Sequence, residues 1–339
     1  MRQDSADQDR LEYLRKMEDI FPDEVLYDDL GNVIKLVFEE LKTTTLPAEI
    51  GQIHHLQEIY LYNCNRLASL PSEFWHLAEL HSLAITGCAM PHIPIEIGQL
   101  HRLQLLCWSK CQVEHVPDEL GRLSELHTLD LSGNSLTYIP PVIGKLTNLQ
   151  WLYLDENNLS DLPAKIGQLS RLHTLILSNN LLEQLPPQIG RLSSLRTLYL
   201  KGNKLRTLPP EIGQLSRLLE LDLSSNPLDH LPPELGQLHN LQGINLDENE
   251  LEAAPQEIGK LQNFACPCCG FLTLDERYMW IICKVCFWED DPVQASDETY
   301  RHGANDCSLL EARQNYLRMG VSEERLKPYV RAPLPEEIP

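Results

Sequence analysis

Leucine recurs along this chain on a fixed lattice. Leu126, Leu149, Leu172, Leu195, Leu218 and Leu241 each open the phrase L-x-x-L-x-L-x-x-N-x-L-x-x-L-P-x-x-I-G-x-L, on a spacing of about 23 residues. One copy reads LQWLYLDENNLSDLPAKIGQLSR, from Leu149 to Arg171. Apolar residues at its first, fourth and sixth positions predict a short strand whose alternate side chains point inward. In the L-P-x-x-I-G segment that follows, proline fixes φ and glycine permits a close turn. That segment is expected to return extended or as 3₁₀ turns, not as a full α-helix. One copy cannot bury its own apolar face, so neighbours must stack and leave one long side surface open to partners.

The lattice continues in both directions. Leu103, Leu80 and Leu56 open earlier copies, with one extra residue in the copy from Leu56, and a degenerate first copy starts near Val33 and keeps Leu46-Pro47. Before it, VLYDDLGNVIKLVF reads as a β-hairpin turning near Gly31-Asn32, and Leu11 to Ile20 reads as a helix. Together these would cap the open end of the stack. Forwards, Phe264 falls on the next leucine position, and a cysteine-rich segment follows without a Gly/Ser linker. That second unit is expected to dock directly as the carboxyl-terminal cap. The organisation expected is a helix-and-hairpin cap over 1–32, about ten repeats over 33–264, and a cysteine-rich domain over 265–339.

The repeat resembles the leucine-rich repeat family, in the L-P-x-x-I-G-x-L subclass found in bacterial proteins and Ras-pathway scaffolds. The resemblance implies an α/β fold: a solenoid with short parallel strands on its concave side, a 3₁₀ or extended convex side, and here a small zinc-ribbon-like cap. It also implies a continuous ladder of the asparagines at Asn134, Asn157, Asn180, Asn203, Asn226 and Asn249. An amide both donates and accepts where the chain bends, which suits that slot. Cys64, Cys88 and Cys111 hold it in three early copies and read as small buried ladder residues, in preference to redox or metal roles.

Strand alternation sends the third, fifth, seventh and eighth residues of each copy to the concave side. Early copies supply Tyr60 and Tyr62, then Asp130. The copy from Leu149 supplies Trp151, Tyr153, Asp155 and Glu156. Later copies supply Tyr199, then Glu220 and Asp222, then Asp247 and Glu248. Rigid aromatic anchors among carboxylates suit an interface that selects a basic protein. The competing reading is a solvated surface that keeps the chain soluble.

Cys266-Pro-Cys-Cys269-Gly and Cys283-Lys-Val-Cys286 form two C-x-x-C pairs, with thirteen residues between them. Two such pairs complete a tetrahedral zinc site with no open position, so the ion would be structural. A register using Cys268 and a redox C-x-x-C are the alternatives. From Cys266 to about Gly320 the text closely resembles the bacterial cysteine-rich CPCC family, which recurs near polymorphic toxin systems and thereby implies a toxin-neutralising role. Trp288, Glu289, Asp290 and Asp291 form an acidic loop beside the expected metal, and no partner base, nucleophile or phosphate loop accompanies it at a convincing spacing.

A chain of 339 residues with a formal net charge of -21 repels phosphate backbones and anionic lipid and steers basic proteins toward itself. Nucleic-acid and membrane partners are therefore disfavoured. MRQDSADQDR lacks the basic start and apolar run of a secretory signal. Lattice-bound and clustered cysteines fit reduced thiols and a metal in the cytoplasm. The reading favoured is a cytoplasmic, non-enzymatic immunity or antitoxin-like protein that binds a protein toxin. The alternatives are a scaffold or effector binding a small GTPase or kinase, and a zinc-domain enzyme guided by the repeats.

Overall fold

A computed structural model describes residues 22–249, together with 251, 264–265, 272–274 and 312. Strands β1 (Glu24–Tyr27) and β2 (Val33–Glu39) pair antiparallel across a turn at 28–32. Asp28 organises that turn: its Oδ1 accepts the N–H groups of Leu30 at 2.9 Å and Asn32 at 2.8 Å. The Asn32 amide also donates to Oδ2, and this bond leads in holding the Asp28 carboxyl below its ordinary range.

From β2 onward each repeat adds one parallel strand. These are β3 (Glu58–Tyr62), β4 (Ser82–Thr86), β5 (Leu105–Ser109), β6 (Thr128–Asp130) and β7 (Trp151–Tyr153). They continue as β8 (Thr174–Ile176), β9 (Thr197–Tyr199), β10 (Glu220–Asp222) and β11 (Gly243–Asn245). Strands β1 to β11 form a single sheet in chain order. The register stacks Leu129, Leu152, Leu175, Leu198 and Leu221 directly over one another, each fully buried. Burying each such leucine stabilises the stack by on the order of 2 kcal/mol. Only a column of repeats can assemble this core, because every leucine is covered by the copies on either side.

Between strands the chain returns through 3₁₀ turns, as the proline-bearing segment predicts. Ala164–Gln168 is representative: Pro163 enters with φ -66°, and the Leu169 N–H closes the turn on the Ile166 carbonyl. The glycine of this segment has a different reason from the close turn expected of it. A Cβ on Gly167 would lie 2.5 Å from the Gln188 carbonyl oxygen, and one on Gly144 would lie 2.7 Å from that of Lys165. Glycine is required because the next repeat's backbone passes against it, so it sets the packing distance of the stack.

The asparagine ladder is present. Asn180 Nδ2 donates to the Leu154 carbonyl at 2.9 Å and the Leu177 carbonyl at 3.0 Å, and its Oδ1 accepts the Leu159 N–H at 3.0 Å. Asn157, Asn203 and Asn226 repeat this arrangement. Cysteines continue the donor half of it. Cys111 Sγ reaches the carbonyls of Ile85 at 3.5 Å and Ser109 at 3.1 Å, and Cys88 and Cys64 do the same one and two repeats earlier. Burial pushes the Cys111 thiol up to about 11, so it stays protonated and inert.

Strands β12 (Phe264–Ala265) and β13 (Leu272–Leu274) form a separate antiparallel pair, with β12 close to β11. Ala312 is helical and fully buried. No helix among the described residues is long and apolar enough to cross a membrane.

Candidate protein-binding face

The concave face is the outward side of this sheet, and register arranges it in columns. One column runs Cys107, Asp130, Tyr153, Ile176, Tyr199 and Asp222 across β5 to β10. A parallel one runs Leu105, Thr128, Trp151, Thr174, Thr197 and Glu220. Beyond the strand ends Asp155 follows in a third column, where its carbonyl accepts the Gly133 N–H at 2.9 Å. Leu105, Cys107 and Ile176 also line the face, on the same alternation that marks Trp151 and Tyr153. A search for aromatic and acidic side chains passes over them.

The eighth residue of each repeat is left-handed in all ten repeats. Gly87, Gly133 and Gly202 adopt this at no steric cost, but Lys110, Glu156 and Glu248 hold φ of 54°, 53° and 57°. A side chain there costs about 1 kcal/mol. These charged residues therefore stand on the rim at the expense of local backbone stability.

The twelve residues selected from sequence differ in what their polar atoms already do. Tyr199, Glu220 and Asp222 are only 7% exposed, and the Tyr199 hydroxyl donates to Glu220 at 2.9 Å. Asp222 accepts from the Ser224 backbone and hydroxyl at 2.9 and 2.7 Å. Glu248 accepts from the Ser225 hydroxyl, and Tyr60 donates to Glu58 and stacks on Tyr62 at 6.1 Å. Asp130 accepts from the Ser132 N–H at 2.8 Å and from the Cys107 thiol at 3.3 Å. Asp247 and Glu156 are exposed. Trp151, Tyr153 and Asp155 are half-buried; the Trp151 and Tyr153 side-chain polar atoms make no hydrogen bond among the described residues, and the Asp155 carboxylate receives only one, from its own backbone N–H. Unspent capacity on the face thus concentrates in one repeat, the copy from Leu149.

Electrostatics mark the same place. Burial first, with the charges of Asp130 and Glu156, pushes the Asp155 carboxyl up to about 6, against relief from its own backbone N–H and then from Lys110. Burial, Asp130 and Asp155 together raise the Tyr153 hydroxyl, so it remains a donor. Burial and then Asp130 push the Cys107 thiol up to about 12. The His173 ring meets Trp151 edge-on at 6.3 Å, and burial followed by Arg196 and Arg217 lowers its pKa, which keeps it neutral near pH 7.

The raised Asp155 carboxyl binds its proton more readily in the folded chain than in the unfolded one. Its ionisation therefore costs stability as pH climbs from 3.8 through about 6. Asp155→Asn is expected to raise unfolding free energy near pH 7.5 by on the order of 2 kcal/mol, after allowance for partial exposure. That gain should shrink toward zero as pH falls through the same window. Urea titrations at several pH values check this; a pH-independent or negative change would contradict it.

Among the described residues no group of three or more His, Cys, Asp or Glu side chains is placed to hold a metal ion. Cys266, Cys269, Cys283 and Cys286 lie outside the described residues.

Comparison with known proteins agrees with this architecture. Leucine-rich repeat family models match residues 55–77, 94–178, 170–228 and 193–251, and the model for cysteine-rich CPCC matches residues 264–337. The chain belongs to the leucine-rich repeat proteins. It is, more particularly, one whose repeats lead into a cysteine-rich CPCC region. Among solved structures it is similar to a leucine-rich repeat protein of Leptospira interrogans, with 34% identity, a TM-score of 0.54, and coverage of 68% of this chain and 64% of that one. It is also similar to PEPR1 in the structure of PEPR1-AtPEP1, with 27% identity, a TM-score of 0.55, and coverage of 73% and 42%. A plant ice-binding protein shares the fold at 24% identity with a TM-score of 0.58, over 76% of this chain and 90% of that one. The chain thus spans less than two thirds of the length of the first two. No curated protein matches it.

Proposed function

We propose that this chain is a non-enzymatic, cytoplasmic recognition module that holds a protein partner against its concave sheet. More narrowly, we propose an immunity protein that binds and neutralises a basic protein toxin. The observation that carries the reading is the repeat from Leu149, where Trp151, Tyr153 and Asp155 stand half-buried with unspent polar atoms on an open sheet face. Aromatic anchors of this kind dominate binding energy, and acids around them set which partner approaches. The pairing of PEPR1 with AtPEP1 in a similar fold is consistent with such use. In the same reading Cys266, Cys269, Cys283 and Cys286 hold a structural zinc ion that stabilises the CPCC region.

Co-expression with the product of the adjacent gene tests this. The expected result is a stable complex and rescue of growth. Substituting both Trp151 and Tyr153 by alanine should weaken the complex by roughly 1,000-fold, from a loss of roughly 2 kcal/mol per anchor. Absence of both complex and protection would remove the proposal.

A further inference from the structure

We infer that the partner presents a guanidinium-bearing side chain to this face, and that Trp151, Tyr153, Asp130 and Asp155 receive it and release it on mild acidification. This rests on the recognition reading and adds the chemistry of the contact and its control.

Charge complementarity points to a cation. Asp130 and Asp155 flank Tyr153, and Asp130 and Glu156 act on Asp155, where Lys110 opposes them. Hydrogen-bonding capacity points the same way, because the half-buried Asp155 carboxylate takes from its neighbours only a bond from its own backbone N–H. A donor-rich guest would satisfy it, whereas an anionic or purely apolar guest would strand it. The aromatic rings narrow the choice further. Trp151 and Tyr153 stand two residues apart on one face of β7, with Asp130 the register partner of Tyr153. A planar guanidinium can lie on an indole or phenol ring while its N–H groups reach a carboxylate in the same plane. The compact ammonium of lysine does this less well. On β9 and β10 the corresponding groups already bond one another, as Tyr199 does with Glu220, so the same offer is not repeated there.

Control by pH follows from what surrounds Asp155. Strand β6 contributes Asp130, the residue after β5 contributes Lys110, and its own repeat contributes Tyr153 and Glu156. The residues following β8 at that level, Ser178 and Asn179, are uncharged, and Lys201 lies beyond β9. Burial and two neighbouring acids thus favour the protonated form of Asp155 when no cation is present. At neutral pH the carboxyl is already ionised, and a guanidinium stabilises that form further. Below about 6 protonation removes the charge that holds it.

The test uses the full chain with indole ¹⁵N labelling, with the Trp151 resonance assigned through Trp151→Phe. Acetyl-Gly-Arg-Gly-amide is titrated near pH 7.5 and near pH 5, with acetyl-Gly-Glu-Gly-amide as the counter-probe. The arginine peptide is expected to shift the Trp151 indole saturably near pH 7.5. About tenfold weaker binding is expected near pH 5, where roughly one carboxyl in ten remains ionised. Asp155→Asn should bind as weakly near pH 7.5 as the wild-type chain does near pH 5, and should lose the pH dependence. Glu183→Gln, an exposed acid on the flank, should behave as wild type. No saturable shift, an equal response to the glutamate peptide, or retained pH dependence in Asp155→Asn would each overturn the inference. If any of these occurs while complex formation and protection persist, the recognition reading stands and only the arginine anchor falls.

Discussion

Asn180→Ala is expected to destabilise the solenoid by about 3–5 kcal/mol, more than any surface change on the concave face. The substitution removes the donors to Leu154 and Leu177 and the acceptor for Leu159, all buried. Asn180 is only 4% exposed, so one N–H and two carbonyls lose their partners at about 1–3 kcal/mol each. Asn180→Cys is expected to cost roughly half as much. A thiol keeps the donor half of the arrangement, as Cys111 does with Ile85 and Ser109, and gives up only the strong acceptor. The acceptor half is weaker in the cysteine rungs because sulfur is a poor acceptor: the Cys88 N–H meets Cys111 Sγ at 3.4 Å, where the Cys111 N–H meets the amide oxygen of Asn134 at 3.1 Å. Urea unfolding of the three chains measures the order. Alanine and cysteine variants of equal stability would show that the ladder's acceptor, and not its donor, sets the value of the rung.

These two classes of rung explain why the stack was legible from sequence. Core leucines, ladder residues and proline turns answer to the position within one repeat, and position repeats every 23 residues or so. Any copy therefore predicts its neighbours, down to cysteine standing in for asparagine. The concave alternation is equally local, and Trp151, Tyr153 and Asp155 stand where it places them. What escaped was set between repeats. Tyr199 turns inward to Glu220 and Ser225 bonds Glu248 because of the side chain one repeat on, which a single copy does not encode. Gly167 reads as a turn residue in its own copy, while its real constraint is the Gln188 carbonyl of the next. The left-handed backbone at Lys110 and Glu156 was hidden for a similar reason. Their residue types disfavour it, and only Gly87, Gly133 and Gly202 at the same position betray it.

Removal of metal is expected to have the largest effect of all, and to confine it to one part of the chain. If Cys266, Cys269, Cys283 and Cys286 hold zinc as proposed, elemental analysis should find one ion per chain. Chelation should then unfold 264–337 with a loss on the order of 10 kcal/mol, because for such small sites binding free energy is folding free energy. The repeats should keep their own cooperative transition, since their described core is built from the stacked, buried leucines of the repeats themselves. Cys283→Ser should reproduce the chelated state. Cys268→Ser should retain zinc; loss of the ion there would transfer the ligand role to Cys268 and redraw the first pair. A chain that purifies without zinc, or whose two C-x-x-C pairs titrate as disulfides, would refute the structural site. Four thiolates leave the ion no vacant position, so loss of folded structure, not loss of turnover, is the effect that its removal must produce.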